Sequence, residues 1–104
     1  MLTLFNISTY VEIMKHIEAT ANQFSTLGDV DRLSLVVSLI DGPKCVGTLS
    51  DEFGVGMSTI SQRLKILYQA RLVTKERRGK HMFYAIADHH VRSLIENDFE
   101  HAGE

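Results

Sequence analysis

At Arg71 the hydrophobic period of the chain changes from that of a helix to that of a strand, and this switch narrows the fold more than any other feature. Before it, the pattern predicts a short helix over 46–53, a turn at Phe53-Gly54-Val55-Gly56, and a longer helix opened by Met57 or Ser58 and running to about Ala70. Met57, Ile60, Leu64 and Leu67 recur on one side of that helix and are expected to face inward. After it, Leu72-Val73-Thr74-Lys75 and Met82-Phe83-Tyr84-Ala85-Ile86 read as strands flanking Glu76-Arg77-Arg78-Gly79-Lys80-His81, with the tip at Arg78-Gly79. Two helices across a short glycine turn form a helix-turn-helix, and a basic hairpin directly behind it is a wing.

The remaining segments are helical. A helix with one apolar stripe is expected from Thr9 to about Phe24, broken at Leu27-Gly28-Asp29. Asp29 or Asp31 then caps a second helix through Ile40, which stops at Asp41-Gly42-Pro43. Asp88 is the expected N-cap of a last helix. The expected fold is therefore mainly α with a small β-hairpin, a winged helix-turn-helix. One domain accounts for 1–104, divided into a dimerisation helix (1–26), the helix-turn-helix (46–70), the wing (72–86) and a metal-binding dimer helix (88–104). No apolar run reaches membrane-spanning length, the first residues lack a signal-peptide pattern, and a single cysteine suits a reducing compartment. A cytoplasmic protein without a membrane partner is expected.

Net charge is −2, which looks wrong for a nucleic-acid binder until its distribution is considered. Residues 63–80 hold Arg63, Lys65, Arg71, Lys75, Arg77, Arg78 and Lys80 against one acid, Glu76, while the segments on either side are acidic. A basic edge on an acidic body is the footprint of a phosphate-binding surface. Along the second helix of the helix-turn-helix, Ser58, Thr59, Ser61, Gln62 and Lys65 point outward. Short hydroxyls, an amide and a base are groups that contact phosphates and base edges in the major groove of double-stranded DNA. Lys75, Arg77, Arg78 and Lys80 of the wing are placed to meet adjacent phosphates or the minor groove.

The tail carries a second chemistry. Asp88, His90, His101 and Glu104 are all types that ligate a borderline-soft divalent metal. On one helix His90 and His101 face the same side but lie roughly 16 Å apart along the axis, too far for one ion to bridge. An antiparallel second copy of the helix resolves this by bringing Asp88 and His90 of one chain against His101 and Glu104 of the other. Val91, Leu94, Ile95 and Phe99 fill the adjoining arc and suit pairing with another helix. Two histidines and two carboxylates fit tetrahedral Zn2+; Co2+ accepts the same geometry, and Ni2+ would want a further ligand such as His89. Glu104 could also ligate through its main-chain carboxylate.

These pieces resemble the ArsR/SmtB family of winged-helix metal-sensing repressors, over Phe24 to Glu104. The resemblance rests on Leu27-Gly28-Asp29 with Arg32-Leu33, Cys45-Val46-Gly47-Thr48-Leu49, Met57-Ser58-Thr59-Ile60-Ser61-Gln62-Arg63-Leu64-Lys65, the wing Arg77-Arg78-Gly79-Lys80, and the tail Asp88-x-His90-x10-His101-x2-Glu104. It implies a homodimer, joined through its N- and C-terminal helices, that occupies operator DNA when metal-free and leaves it when metal binds at the C-terminal helices. The third-helix thiolate site of some members is not supported, because Cys45 stands alone and Thr48 occupies the later ligand position. His16 could approach Cys45 of a second copy, but two ligands make no site. Cys45 is expected to be buried and inert. The competing reading is a winged-helix DNA-binding regulator without metal input, answering to redox state or a protein partner. A zinc hydrolase is disfavoured, since four protein ligands leave no position for water and no nucleophile motif is present.

Overall fold

The computed structural model describes residues 7–102, with side chains for residues 7–97. Its elements are α1 (Ile7–Leu27), α2 (Val30–Ser38) with a tight 3-10 turn over Leu39–Asp41, β1 (Lys44–Cys45), α3 (Val46–Phe53), α4 (Met57–Gln69), β2 (Val73–Arg78), β3 (His81–Ile86) and α5 (His89–Ala102). The chain is a winged helix-turn-helix, mainly α with a small sheet.

Local chemistry explains most of the boundaries. Asp29 caps α2, its carboxylate accepting the Arg32 N–H at 3.0 Å. Asp88 does the same for α5, Oδ1 accepting the Val91 N–H at 3.0 Å. Gly54, at φ 65°, ends α3 in the left-handed conformation that a side chain resists. Toward the tip, β2 runs three residues and β3 one residue further than the sequence pattern suggested, so the tip is Gly79-Lys80, with Gly79 at φ 62°.

The sequence pattern showed only the hairpin, whereas the sheet has three strands in the order β1-β3-β2, all antiparallel. Strand β1 is two residues long, too short to show any period of its own. It pairs Lys44 with Tyr84 and Cys45 with Phe83, and Lys44 Nζ reaches both carboxylate oxygens of Glu52 on α3 at 2.8 and 3.1 Å.

Leu35, Val36, Leu39, Leu49, Ile60, Leu64, Leu67, Leu72 and Val73 form one core, closed by Val91 and Ile95 of α5. Three of the four residues expected on the inner side of α4 are there; Met57 is not, being 59% exposed. It opens the helix, where no element among the described residues covers it. Val91 and Ile95 likewise depart from expectation, because they pack into the chain's own core. Leu94 stays exposed on α5, and the Phe99 side chain lies outside the described residues.

The end of α4 is closed by two reversed bonds, Leu72 N–H to Leu67 O and Arg71 N–H to Tyr68 O, both 3.0 Å. In that arrangement the residue after the C-cap is left-handed and usually glycine. Here it is Arg71, at φ 61°. Arg71→Gly is therefore expected to stabilise the fold by about 0.5–1 kcal/mol in urea unfolding. A loss of stability would show that the Arg71 side chain makes up for its backbone.

Candidate functional site

Ser58, Thr59, Ser61, Gln62 and Lys65 are all exposed along α4, as the sequence pattern required. Burial of Ile60, Leu64 and Leu67 on the opposite side fixes that orientation. The seven bases of residues 63–80 are not equivalent. Arg63 is partly buried and lies 3.3 Å from Asp31, tying α4 to α2.

In the wing, strand register sorts the others by face. Val73, Lys75 and Arg77 alternate on the side that carries Tyr84 and Ile86 toward the core. Thr74, Glu76 and Arg78 occupy the reverse side with Phe83. Lys75 Nζ sits 4.4 Å from the centre of the Tyr68 ring on α4, so the first face adjoins that helix. Arg78 lies 4.9 Å over Phe83 and 3.4 Å from Glu76 on the other. Lys65, Arg77 and Lys80 have no ion pair among the described residues.

The sequence reading omitted Tyr68. It lies seven residues after Ser61, on the same side of α4, so an exposed aromatic at that spacing was the available signal.

The tail residues are only partly within reach. Asp88 and His90 are exposed at the start of α5, where the Asp88 carboxylate caps the helix and the His89 and His90 rings lie 4.1 Å apart. His101 continues the same helix, but its side chain lies outside the described residues, as does the whole of Glu104. Among the described residues no three His, Cys, Asp or Glu side chains come together as a metal site. Of the expected donor set, the described residues place Asp88 and His90 at the start of α5. His90 also edges an apolar hollow of about 140 Å³ between α1 and α5, lined by Phe24, Leu27, Leu72, Val91 and Leu94.

Helix α1 leaves most of its apolar stripe uncovered. Tyr10 is 60% exposed, Ile17 53% and Phe24 56%. Gln23 Nε2 donates to the Ala70 carbonyl at 3.0 Å, fastening this helix to the helix-turn-helix.

Cys45 is partly exposed at the start of α3 rather than buried. Its Sγ lies 3.3 Å from Thr48 Oγ1, and that hydrogen bond, with the Thr48 N–H, draws the thiol below its ordinary range. Thr48→Val should raise it again and slow alkylation by iodoacetamide at neutral pH several-fold. An unchanged rate would mean that Thr48 does not govern the thiol.

No described helix is long and apolar enough to cross a membrane. Residues 29–75, from the cap of α2 into the wing, match the family described as bacterial regulatory protein, arsR family. The transcriptional repressor SmtB of Mycobacterium tuberculosis is 35% identical over 88 residues, which cover 85% of this chain but only 65% of that protein. The arsenical resistance operon repressor of Bacillus subtilis is 36% identical, with 73% of each chain covered. Among solved structures, the homodimeric winged helix-turn-helix DNA-binding domain Mb0332 of Mycobacterium bovis superposes with a TM-score of 0.82 at 25% identity, over 88% of this chain and 84% of that one. Family match, identity and coverage agree with the helix-turn-helix and wing built above, and the chain belongs to the arsR family of bacterial regulatory proteins.

Proposed function

We propose that this chain is a transcriptional repressor that binds operator DNA as a homodimer and leaves it when zinc binds between the two C-terminal helices. The observation that carries the DNA reading is the pairing of Lys75 with Tyr68. It sets the Lys75 and Arg77 face of the wing beside α4, which presents Ser58, Ser61, Gln62 and Lys65 outward. In this reading the hydroxyls and Gln62 meet base edges and phosphates, and the bases of the wing neutralise flanking phosphates. Thr59 lies further round the helix, while Arg78 and Lys80 act from the far face and tip.

A homodimer is supported by the uncovered apolar stripe of α1 and by the homodimeric Mycobacterium bovis domain. Second copies of α1 and α5 would cover Phe24, Ile17 and Leu94. Pairing α5 antiparallel would then set Asp88 and His90 of one chain against His101 and Glu104 of the other. The donor set suits zinc, and cobalt or nickel would compete for it. When bound, zinc supplies a four-coordinate cross-link between the chains. The two recognition helices must span half-sites about 34 Å apart, or a multiple of that, so a dimer locked in another shape binds DNA weakly. Linkage then requires operator DNA to weaken metal binding by the same factor. Acidification should blunt the response, because only neutral imidazole ligates.

Fluorescence anisotropy on a duplex selected from a random library tests both halves. Gln62→Ala should weaken binding and relax preference at one position, by about 1–3 kcal/mol. Arg77→Ala should weaken all sequences alike and reduce the salt slope by about 1. Equal loss in both variants on every sequence would refute the assignment of α4 as the reader. If zinc, cobalt and nickel all leave the complex intact, the metal half fails and the DNA half stands. The lowered Cys45 thiol favours, as the second reading, a regulator that answers to oxidation; peroxide in place of metal is its arm of the same titration.

A further inference from the structure

Between α1 and the end of α4 lies a cleft of about 400 Å³ with walls of mixed polarity. Lys15, His16, Asn22 and Gln23 line it from α1, and Gln69 and Arg71 from α4 and the turn after it. Among the described residues neither Lys15 nor Arg71 is ion-paired. Glu12 is the single acid in the walls, which leaves the fixed cations ahead by one charge.

Two further observations distinguish this cleft from ordinary solvated surface. The first is Arg71 itself, a non-glycine residue held at φ 61° where glycine would be cheaper. Strained positions of this kind concentrate where a side chain is needed for binding. Arg71 counts toward the basic stretch of 63–80 but is not among the residues assigned to DNA contact. The second is the floor of the cleft, where Gln23 Nε2 is committed to the Ala70 carbonyl, fixing its amide in place.

The cleft is also clear of the expected dimer face. At 100° per residue, Lys15, Ala19 and Gln23 lie roughly opposite Tyr10, Ile17 and Phe24 around α1. A second copy covering the apolar stripe would leave the polar side open.

We propose that this cleft binds a small organic anion, a carboxylate or a phosphate monoester, through Lys15 and Arg71, with the Asn22 and Gln69 amides as neutral donors. Arg suits either group because its fork matches two oxygens at once. Because the cleft touches the C-cap of the recognition helix, occupancy there would reach α4 without involving Asp88 or His90.

The test uses no DNA and no metal, so its failure would leave the proposed repressor function untouched. The 15N-labelled protein is titrated separately with succinate and with inorganic phosphate at constant ionic strength. Amide shifts should cluster at Lys15, Asn22, Gln69 and Arg71, and the tighter probe tells which anion class the cleft prefers. Arg71→Gly keeps the left-handed turn while removing the guanidinium, and should weaken the tighter probe about tenfold without lowering thermal stability. Lys15→Gln, on the exposed side of α1, should weaken it as well. Shifts confined to Arg77, Arg78 and Lys80, or wild-type titrations in both variants, would overturn the proposal.

Discussion

Leu64→Ala is expected to cost about 2–5 kcal/mol of unfolding free energy, a large fraction of the ~5–15 kcal/mol that holds a domain of this size. Leu64 is fully buried between Ile60 and Leu67, in the stripe by which α4 joins the core. Truncation removes the transfer energy of the isobutyl group and leaves a cavity that flanking helices can only partly fill. The measurement is urea unfolding at matched protein concentration, since any dimer ties stability to concentration. Met57→Ala is the internal contrast. That side chain is largely exposed, so its loss should fall within ~0.5 kcal/mol. Similar costs for the two variants would contradict the orientation of α4, and with it the identity of its outward residues.

His101→Ala is expected to abolish release of DNA by metal while leaving the metal-free affinity for operator unchanged. The wild-type ratio of affinities without and with zinc should fall in the ~5–150-fold range of allosteric coupling, and in the variant it should drop to about 1. His101 is a cleaner target than Asp88. The Asp88 carboxylate also caps α5, and removing a cap of that kind costs about 1 kcal/mol whether or not metal is present. The readout is anisotropy of the same duplex with and without chelator. Zinc-driven release from His101→Ala dimers would show that the cage is assigned to the wrong residues.

The helix-turn-helix and wing were legible because their signals are local. Ile60, Leu64 and Leu67 repeat with the period of a helix, Asp29 and Asp88 stand one residue before helices they cap, and Gly79 marks a reversal. Strand β1 was not legible, since two residues carry no period and Lys44-Cys45 becomes a strand only when Tyr84 and Phe83 lie beside it. Met57 misled for a related reason. Periodicity assigns a residue to a side of a helix, but burial also needs a facing element, and none among the described residues covers Met57. The tail shows the same limit from another direction. Val91 and Ile95 read as surface for a partner, yet the chain's own core claims them, and Leu94 and His90 are left outside.

The order of residues alone determined where the helices and the two wing strands lie, and that the bases gather between 63 and 80, because each depends on neighbours a few positions away. Tertiary packing alone decided which of those bases face the recognition helix, which are spent on Asp31 or Phe83, and which polar groups meet across the cleft at Arg71. Contacts of that kind join residues distant in the chain, and no local period records them.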